Sequence, residues 1–302
     1  MKHLRRILVA TDFSPLGDRA LDLAAHLARK AGAQVTAVHA MAYLPHGHPY
    51  DQFESDLTTE LTSRLEGSRA PLHPEWPAIV RTGKPHRVIA ACAEIVDADL
   101  IVLGAGPVNR WKELTLGATA DRMLRVSHRP VLLVDPRKDP SSLERLLVAV
   151  DPLEDQGRLL DQASTLASVT GADVEVLGIE ELRSHYPHLD KVGPVVSDFW
   201  HALGQARVRD EGAGPNEFEG DLIERLENQV AKSPLTKLST PVGTKFTKAP
   251  TAHEGILQEA KSSNADIIVI GTHIRNPIAA AILGSTAERV AKSLPCHLLV
   301  VP

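Results

Sequence analysis

Short apolar runs alternate along the chain with longer stretches in which apolar residues recur every three or four positions. Residues 7–10 form one such run, and after it Leu16, Leu23 and Leu27 share one face of a helix. A short apolar run is typical of a buried strand, and the wider spacing is typical of an amphipathic helix. Gly32 follows this stretch and predicts the end of the helix, because glycine readily adopts the left-handed conformation.

The same alternation continues to residue 134. Further strands are predicted at residues 35–39, 78–81, 100–103 and 131–134, and further helices at residues 88–96 and 118–126. Strands that alternate with helices predict right-handed crossovers and a mostly parallel sheet with helices on both faces. The pattern therefore predicts a doubly wound α/β fold.

The pattern occurs twice along the chain. Residues 7–12 (ILVATD) return as residues 146–151 (LLVAVD), and residues 98–104 (ADLIVLG) return as residues 265–271 (ADIIVIG). Self-similarity of this kind indicates a repeated structural unit. The offset grows from 139 to 167 residues between the two matches, so the second copy is 28 residues longer.

The repeat predicts two domains, residues 1–137 and 143–302, joined by a charged, proline-rich linker. The extra length falls between the second and fourth strands of the second copy, around residues 183–215. Phe199 and Trp200 predict a short helix there, followed by a mobile loop that covers the carboxyl ends of the strands.

Several of these segments resemble the universal stress protein family. They are residues 7–14 (ILVATDFS), the strand that ends in VHA at residues 38–40, and residues 98–104; in the second copy the resemblance is closest at residues 265–302. The resemblance implies two tandem adenine-nucleotide-binding-like domains. It also implies that the last strands of the two copies pair as they do in family dimers, so that the chain forms an internal pseudo-dimer.

Many members of that family hold ATP phosphates with a Gly-x2-Gly-x9-Gly-Ser/Thr signature after the fourth strand. Glycines let backbone N–H groups approach a phosphate, and the last two residues open a helix whose positive end faces the anion. In the second copy Ile274 replaces the second glycine, but the hydroxyl of Ser285 is kept. In the first copy Pro107 replaces that glycine and Ala118 replaces the hydroxyl residue.

The resemblance therefore implies ATP as the ligand of the second copy, with the first copy a weaker candidate. In the second copy the positions that match family contacts are Asp151, Leu177, Gly271, Thr272, His273, Gly284, Ser285 and Thr286. In the first copy they are Asp12, Val38, Gly104, Gly117 and Thr119. The alternative for each aspartate is a helix cap or a turn former that needs no ligand.

The composition limits the classes of binding partner. The formal net charge is −5 without a long basic run, which argues against nucleic acid and anionic membranes. No apolar run is long enough to span a membrane. Cys92 and Cys296 stand in apolar surroundings and predict free thiols in a reducing compartment, the cytoplasm. His46 and His48 lack the companions of a metal site, so no metal is expected.

No nucleophile-and-base motif and no Gly-x4-Gly-Lys-Ser/Thr loop occurs in the sequence. The favoured hypothesis is a cytosolic stress-response binding protein without catalytic activity. One alternative is an ATP-binding switch or weak ATPase in the second copy, with slow ATP hydrolysis. A second alternative is a carrier of an amphipathic metabolite in the second copy. A homodimer of the whole chain is left open.

Overall fold

The computed structural model describes residues 4–41, 50–67, 77–106, 116–140, 143–181, 217–272 and 283–302. In the first copy, strands and helices alternate as the apolar pattern predicts. They are β1 (Arg6–Ala10), α1 (Pro15–Ala31), β2 (Gln34–Met41), α2 (Tyr50–Gly67), β3 (Ala78–Thr82), α3 (Pro85–Ile95), β4 (Leu100–Gly104), α4 (Ala118–Val126) and β5 (Val131–Val134).

The second copy repeats this order. Its elements are β6 (Arg145–Val150), α5 (Gly157–Thr170), β7 (Asp173–Glu181), α6 (Glu217–Lys232), β8 (Val242–Ala249), α7 (Ala252–Ser262), β9 (Ile267–Gly271), α8 (Ser285–Ser293) and β10 (His297–Val301), with a short 3-10 helix (Pro234–Lys237) after α6. The connection between β7 and β8 is longer than the one between β2 and β3, so the excess length lies there.

The ten strands among the described residues form one sheet in the order β3-β2-β1-β4-β5-β10-β9-β6-β7-β8. Within each copy every strand pair is parallel. At the centre β5 and β10 pair antiparallel, with Leu132 opposite Leu299. The order reads the same from both ends, as a pseudo-twofold axis between β5 and β10 requires. The predicted pairing of the two terminal strands is confirmed.

The apolar cores are shared between the copies. Leu132 and Leu299 belong to the layer on one face of the sheet, whereas Leu133 and Leu298 belong to the layer on the other. Side chains alternate between the faces along each strand, so both layers cross the centre without a break. The two copies are therefore joined by continuous hydrophobic packing as well as by strand pairing.

Helices α1 and α5 are equivalent but begin one turn apart. The hydroxyl of Ser14 caps α1 by accepting from the N–H of Gly17 at 3.1 Å, and Pro15 occupies the first helical position. The second copy lacks this Ser-Pro start, and α5 begins only at Gly157, which matches residue 18. Both helices end at a left-handed glycine as predicted, with φ of 66° at Gly32 and 77° at the matching glycine of α5.

The connection between the copies begins with a fixed segment. Asp135 is buried, and its carboxylate accepts two hydrogen bonds of 2.8 Å from the guanidinium of Arg137. The same guanidinium also donates to the carbonyl oxygen of Leu294 in the second copy. The first residues after β5 are therefore packed against the other copy instead of forming a free tether.

Candidate functional site

The carboxyl ends of β6, β7 and β9 meet the start of α8 at a cavity of about 650 Å³ in the second copy. In a doubly wound sheet this edge is where ligands bind. Six residues predicted from the sequence line it together: Asp151, Leu177, Gly271, Gly284, Ser285 and Thr286. Positions separated by more than 130 residues in sequence are thus brought to one site.

Gly271 leaves open space at the floor of this cavity. Among the described residues, the nearest neighbours of a Cβ placed on it are Oε1 of Gln156 and the carbonyl oxygen of Val301, both at 3.9 Å. Helix α5 begins two residues after Asp155, the position that matches Leu16 on the first turn of α1. A ligand atom can therefore approach the backbone of Gly271 closely.

The start of α8 faces the same space. Gly284 is the N-cap residue and has no side chain with which to cap the helix. The first N–H groups of a helix lack intrahelical partners and carry the positive end of the helix dipole. With the hydroxyl residues Ser285 and Thr286 beside them in the cavity wall, these groups form a set of donors suited to an anion.

Asp151 forms a turn, as the alternative interpretation of this residue predicts. Its Oδ1 accepts from the N–H of Leu153 at 2.9 Å. The loop is also held from α6, where Nε2 of Gln229 donates to the carbonyl oxygens of Pro152 (3.2 Å) and Glu154 (2.9 Å). The carboxylate therefore has a fixed position at the cavity wall.

The β7 side of the cavity carries two more carboxylates. Glu181 accepts from the N–H of Ala252 at 2.7 Å and so caps α7, while Glu180 lies 3.4 Å from the ammonium of Lys248. The cavity thus has donors at the α8 end and acceptors at the β6 and β7 end. Such a wall suits a molecule with an anionic end and a hydroxyl- or amine-bearing body.

Thr272 has a different environment from the other predicted residues. Its backbone N–H donates to the carbonyl oxygen of Val301 at 2.8 Å and is therefore engaged in the sheet. Its hydroxyl is buried without a hydrogen-bond partner among the described residues. His273 lies outside the described residues, as do Ile274, Pro107, His46, His48 and the predicted lid around Phe199 and Trp200.

The first copy has a corresponding cavity of about 740 Å³. Its wall includes all five first-copy candidates, Asp12, Val38, Gly104, Gly117 and Thr119. Asp12 also forms a turn, since its Oδ1 accepts from the N–H of Ser14 at 3.1 Å. The equivalent residues thus converge in both copies.

The two glycine positions nevertheless differ in what covers them. A Cβ on Gly104 would lie 2.4 Å from Cγ of Leu16, on the first turn of α1. Gly104 therefore permits close packing of a helix on a strand, whereas Gly271 borders open space. The sequence pattern does not identify Leu16, Gln156 or Gln229 as parts of these sites. For Leu16, the Ser14-Pro15 pair indicates in the sequence where the helix begins.

Within the part of the chain that the structure describes, no three His, Cys, Asp or Glu side chains are grouped so that they could hold a metal ion. In the same part, no helix is long and apolar enough to cross a membrane. Cys92 and Cys296 are both buried and free. Burial raises the pKa of the Cys296 thiol to about 12, so this thiol stays protonated at neutral pH.

Known proteins are similar to this chain in sequence. Residues 3–135 and 142–302 each match the model of the universal stress protein family. A universal stress protein of Mycolicibacterium smegmatis is 24% identical over 98% of this chain and 96% of its own length. One from Thermus aquaticus is 33% identical over 43% of this chain and 98% of its own length.

The fold agrees with these sequence matches. The crystal structure of a universal stress protein from Archaeoglobus fulgidus covers 99% of this chain and 99% of its own, with 19% identity and a TM-score of 0.62. The two matched segments together include nearly the whole chain. The chain therefore belongs to the universal stress protein family as a tandem member with two copies of the family domain.

Proposed function

We propose that this protein is a cytosolic stress-response binding protein without catalytic activity, and that its second copy binds an adenine nucleotide. One observation carries the proposal. The backbone at Gly271 and the start of α8 border the same cavity as Asp151. Donors for a phosphate and an acceptor for a nucleoside therefore lie in one space.

The distribution of polar groups orients the nucleotide. Its phosphates lie at Gly284, Ser285 and Thr286, where the helix start supplies N–H and hydroxyl donors. Its nucleoside lies over the ends of β6 and β7, beside the buried Leu177. There the carboxylate of Asp151 accepts from a ribose hydroxyl or the adenine amine.

Calorimetric titration of the full chain with ATP tests this proposal. Ser285→Ala removes a hydroxyl that donates to a charged phosphate, so we expect a loss of about 1–3 kcal/mol in binding free energy. The matched control is Thr119→Ala, which changes the first cavity only and leaves the affinity unaltered. An ATP affinity that falls with Thr119→Ala and not with Ser285→Ala would contradict the assignment to the second copy.

Two further measurements separate the alternatives. Phosphate release from ATP at the rate of the protein-free control supports a binding role, whereas release that Ser285→Ala abolishes identifies a weak ATPase. A native mass spectrum of the purified protein reports both the bound mass and the oligomeric state. A lipid-like mass that Ile256→Trp removes would favour a carrier function of the second copy.

A further inference from the structure

The first-copy cavity differs from its partner in the chemistry of its wall. It lies at the carboxyl ends of β1 and β4, against the starts of α1, α3 and α4. Leu16, Val38, Ile89 and Leu103 give it an apolar lining. A concave, mainly apolar space of several hundred Å³ has the size and character of a small-molecule site.

In this cavity a side chain covers the backbone of Gly104. Leu16 occupies the space above Gly104, where an added Cβ would lie 2.4 Å from its Cγ and 2.8 Å from its Cδ2. A phosphate oxygen needs about 2.7–3.2 Å from a backbone nitrogen and cannot enter a space filled by carbon. The side chain that blocks an anion also extends the apolar surface of the cavity.

The charged side chains of the cavity wall already have hydrogen-bond partners within the protein. Among the described lining residues, Asp12 and Arg19 are the ionisable ones, and their charges are opposite. Asp12 accepts from both the N–H and the hydroxyl of Ser14, and Arg19 donates to the carbonyl oxygen of Lys138 at 3.3 Å. The described side chains of the wall therefore present no surplus positive charge to a phosphate.

The polar groups that remain lie at the start of α4. Gly117 is the N-cap residue of this helix, and the N–H groups of its first turn border the cavity as those of α8 do in the second copy. Thr119 adds a hydroxyl, whereas Ala118 stands at the position of Ser285. These donors beside an apolar surface can orient a ligand through an uncharged acceptor group, while burial of apolar area supplies most of the affinity.

We infer that the first copy binds an uncharged molecule with an aromatic or branched aliphatic body and a hydrogen-bond-accepting group that faces the start of α4. This inference is independent of nucleotide binding, which concerns the other cavity. The protein would then hold two ligands of different chemistry, one in each copy.

The matched pair Ile89→Trp and Ile256→Trp tests this inference. The two isoleucines occupy equivalent positions, line their respective cavities and are both buried, with 3% and 2% of their surface exposed. Each tryptophan fills one cavity, and the two substitutions should perturb the packing of their copies to a similar degree. The probe is N-phenyl-1-naphthylamine, an uncharged aromatic amine whose fluorescence rises in apolar surroundings.

We expect saturable binding of one probe per chain, an affinity at least about tenfold lower in Ile89→Trp, and no change in Ile256→Trp or with excess ATP. Ala118→Trp is a second variant in which overpacking of the core is avoided, because Ala118 is an exposed residue of the cavity wall. Ala118→Trp should lower the affinity for the probe in the same way. Any of four results would overturn the inference: no saturable binding, displacement of the probe by ATP, loss of probe binding in Ile256→Trp, or unchanged probe binding in both first-cavity variants. The ATP titration of Ser285→Ala reports separately on the second copy.

Discussion

The backbone N–H of Asp135 donates a hydrogen bond of 3.0 Å to Nδ1 of His297, 162 positions further along the chain. His297 is fully buried at the start of β10, so the bond joins the two copies. An imidazole that accepts at Nδ1 is not protonated there, and burial lowers the pKa of His297 to about 4.

This histidine predicts a loss of stability in mild acid. Its pKa in the folded state lies below its value of 6.5 in the unfolded chain, so the unfolded state binds the proton first. The contribution of the neutral imidazole to the free energy of unfolding is complete above pH 6.5. It is lost as the pH falls towards 4, by up to about 1.4 kcal/mol per pH unit. Urea unfolding between pH 4.5 and 7.5 measures this slope. His297→Asn keeps an acceptor without titrating and should flatten the slope, whereas equal slopes would refute the assignment.

A second prediction concerns Glu259, a buried carboxylate on α7. Its partners are the ammonium of Lys245 at 2.6 Å and the hydroxyl of Ser262 at 2.9 Å. Lys245→Met leaves this carboxylate without its cation, beside Glu175, whose pKa is already raised by burial and by the charge of Glu259.

We expect Lys245→Met to lower the free energy of unfolding at pH 7 by about 1–2 kcal/mol. This is less than the loss of a fully buried pair, because the side chain of Lys245 is 45% exposed. The loss should shrink near pH 4 as the carboxylates become protonated. Arg225→Met removes an exposed ion pair with Asp221 and serves as the control, with an effect below about 0.5 kcal/mol. Equal effects of the two variants in denaturant unfolding would show that burial of Glu259 is unimportant.

A third prediction contrasts the two signature glycines. Gly104→Ala forces its Cβ against Leu16 and should lower the free energy of unfolding by about 1–3 kcal/mol. Gly271→Ala has space for the methyl group and should leave stability nearly unchanged, yet weaken ATP binding because the methyl group fills the approach to the backbone. Thermal unfolding and nucleotide titration of both variants provide the check. The opposite pattern, with only Gly271→Ala destabilised, would mean that the roles of the two glycines are reversed.

A fourth prediction concerns Gln229 as a positioning residue for the Asp151 loop. Gln229→Leu removes both hydrogen bonds to the loop carbonyl oxygens, so the loop should become less ordered and the ATP affinity should fall by about three- to tenfold. Asn228→Ala alters the neighbouring exposed side chain of α6 and should have no effect. A titration in which both variants bind ATP like the unaltered protein would show that the loop does not depend on α6.

The sequence was sufficient to predict the order of the strands and helices, because apolar spacing and the two stop glycines, Gly32 and Gly171, act locally. It also predicted the β5–β10 pairing through the family resemblance. What it did not predict depends on contacts between distant segments. Ser14-Pro15 indicates where α1 begins, but only the fold shows that this extra turn places Leu16 on Gly104. Likewise, nothing local to Gln229 reveals that it holds a loop more than 70 residues away.

The palindromic strand order has a genetic consequence. In a homodimer of single-domain chains every substitution appears twice, so neither site can change without the other. Here the equivalent partner is encoded by a separate stretch of the same gene and is held at a very high local concentration by the covalent link. Mutation can therefore alter one cavity while the other is preserved, and the ratio of the two sites stays at one to one however much protein the cell makes.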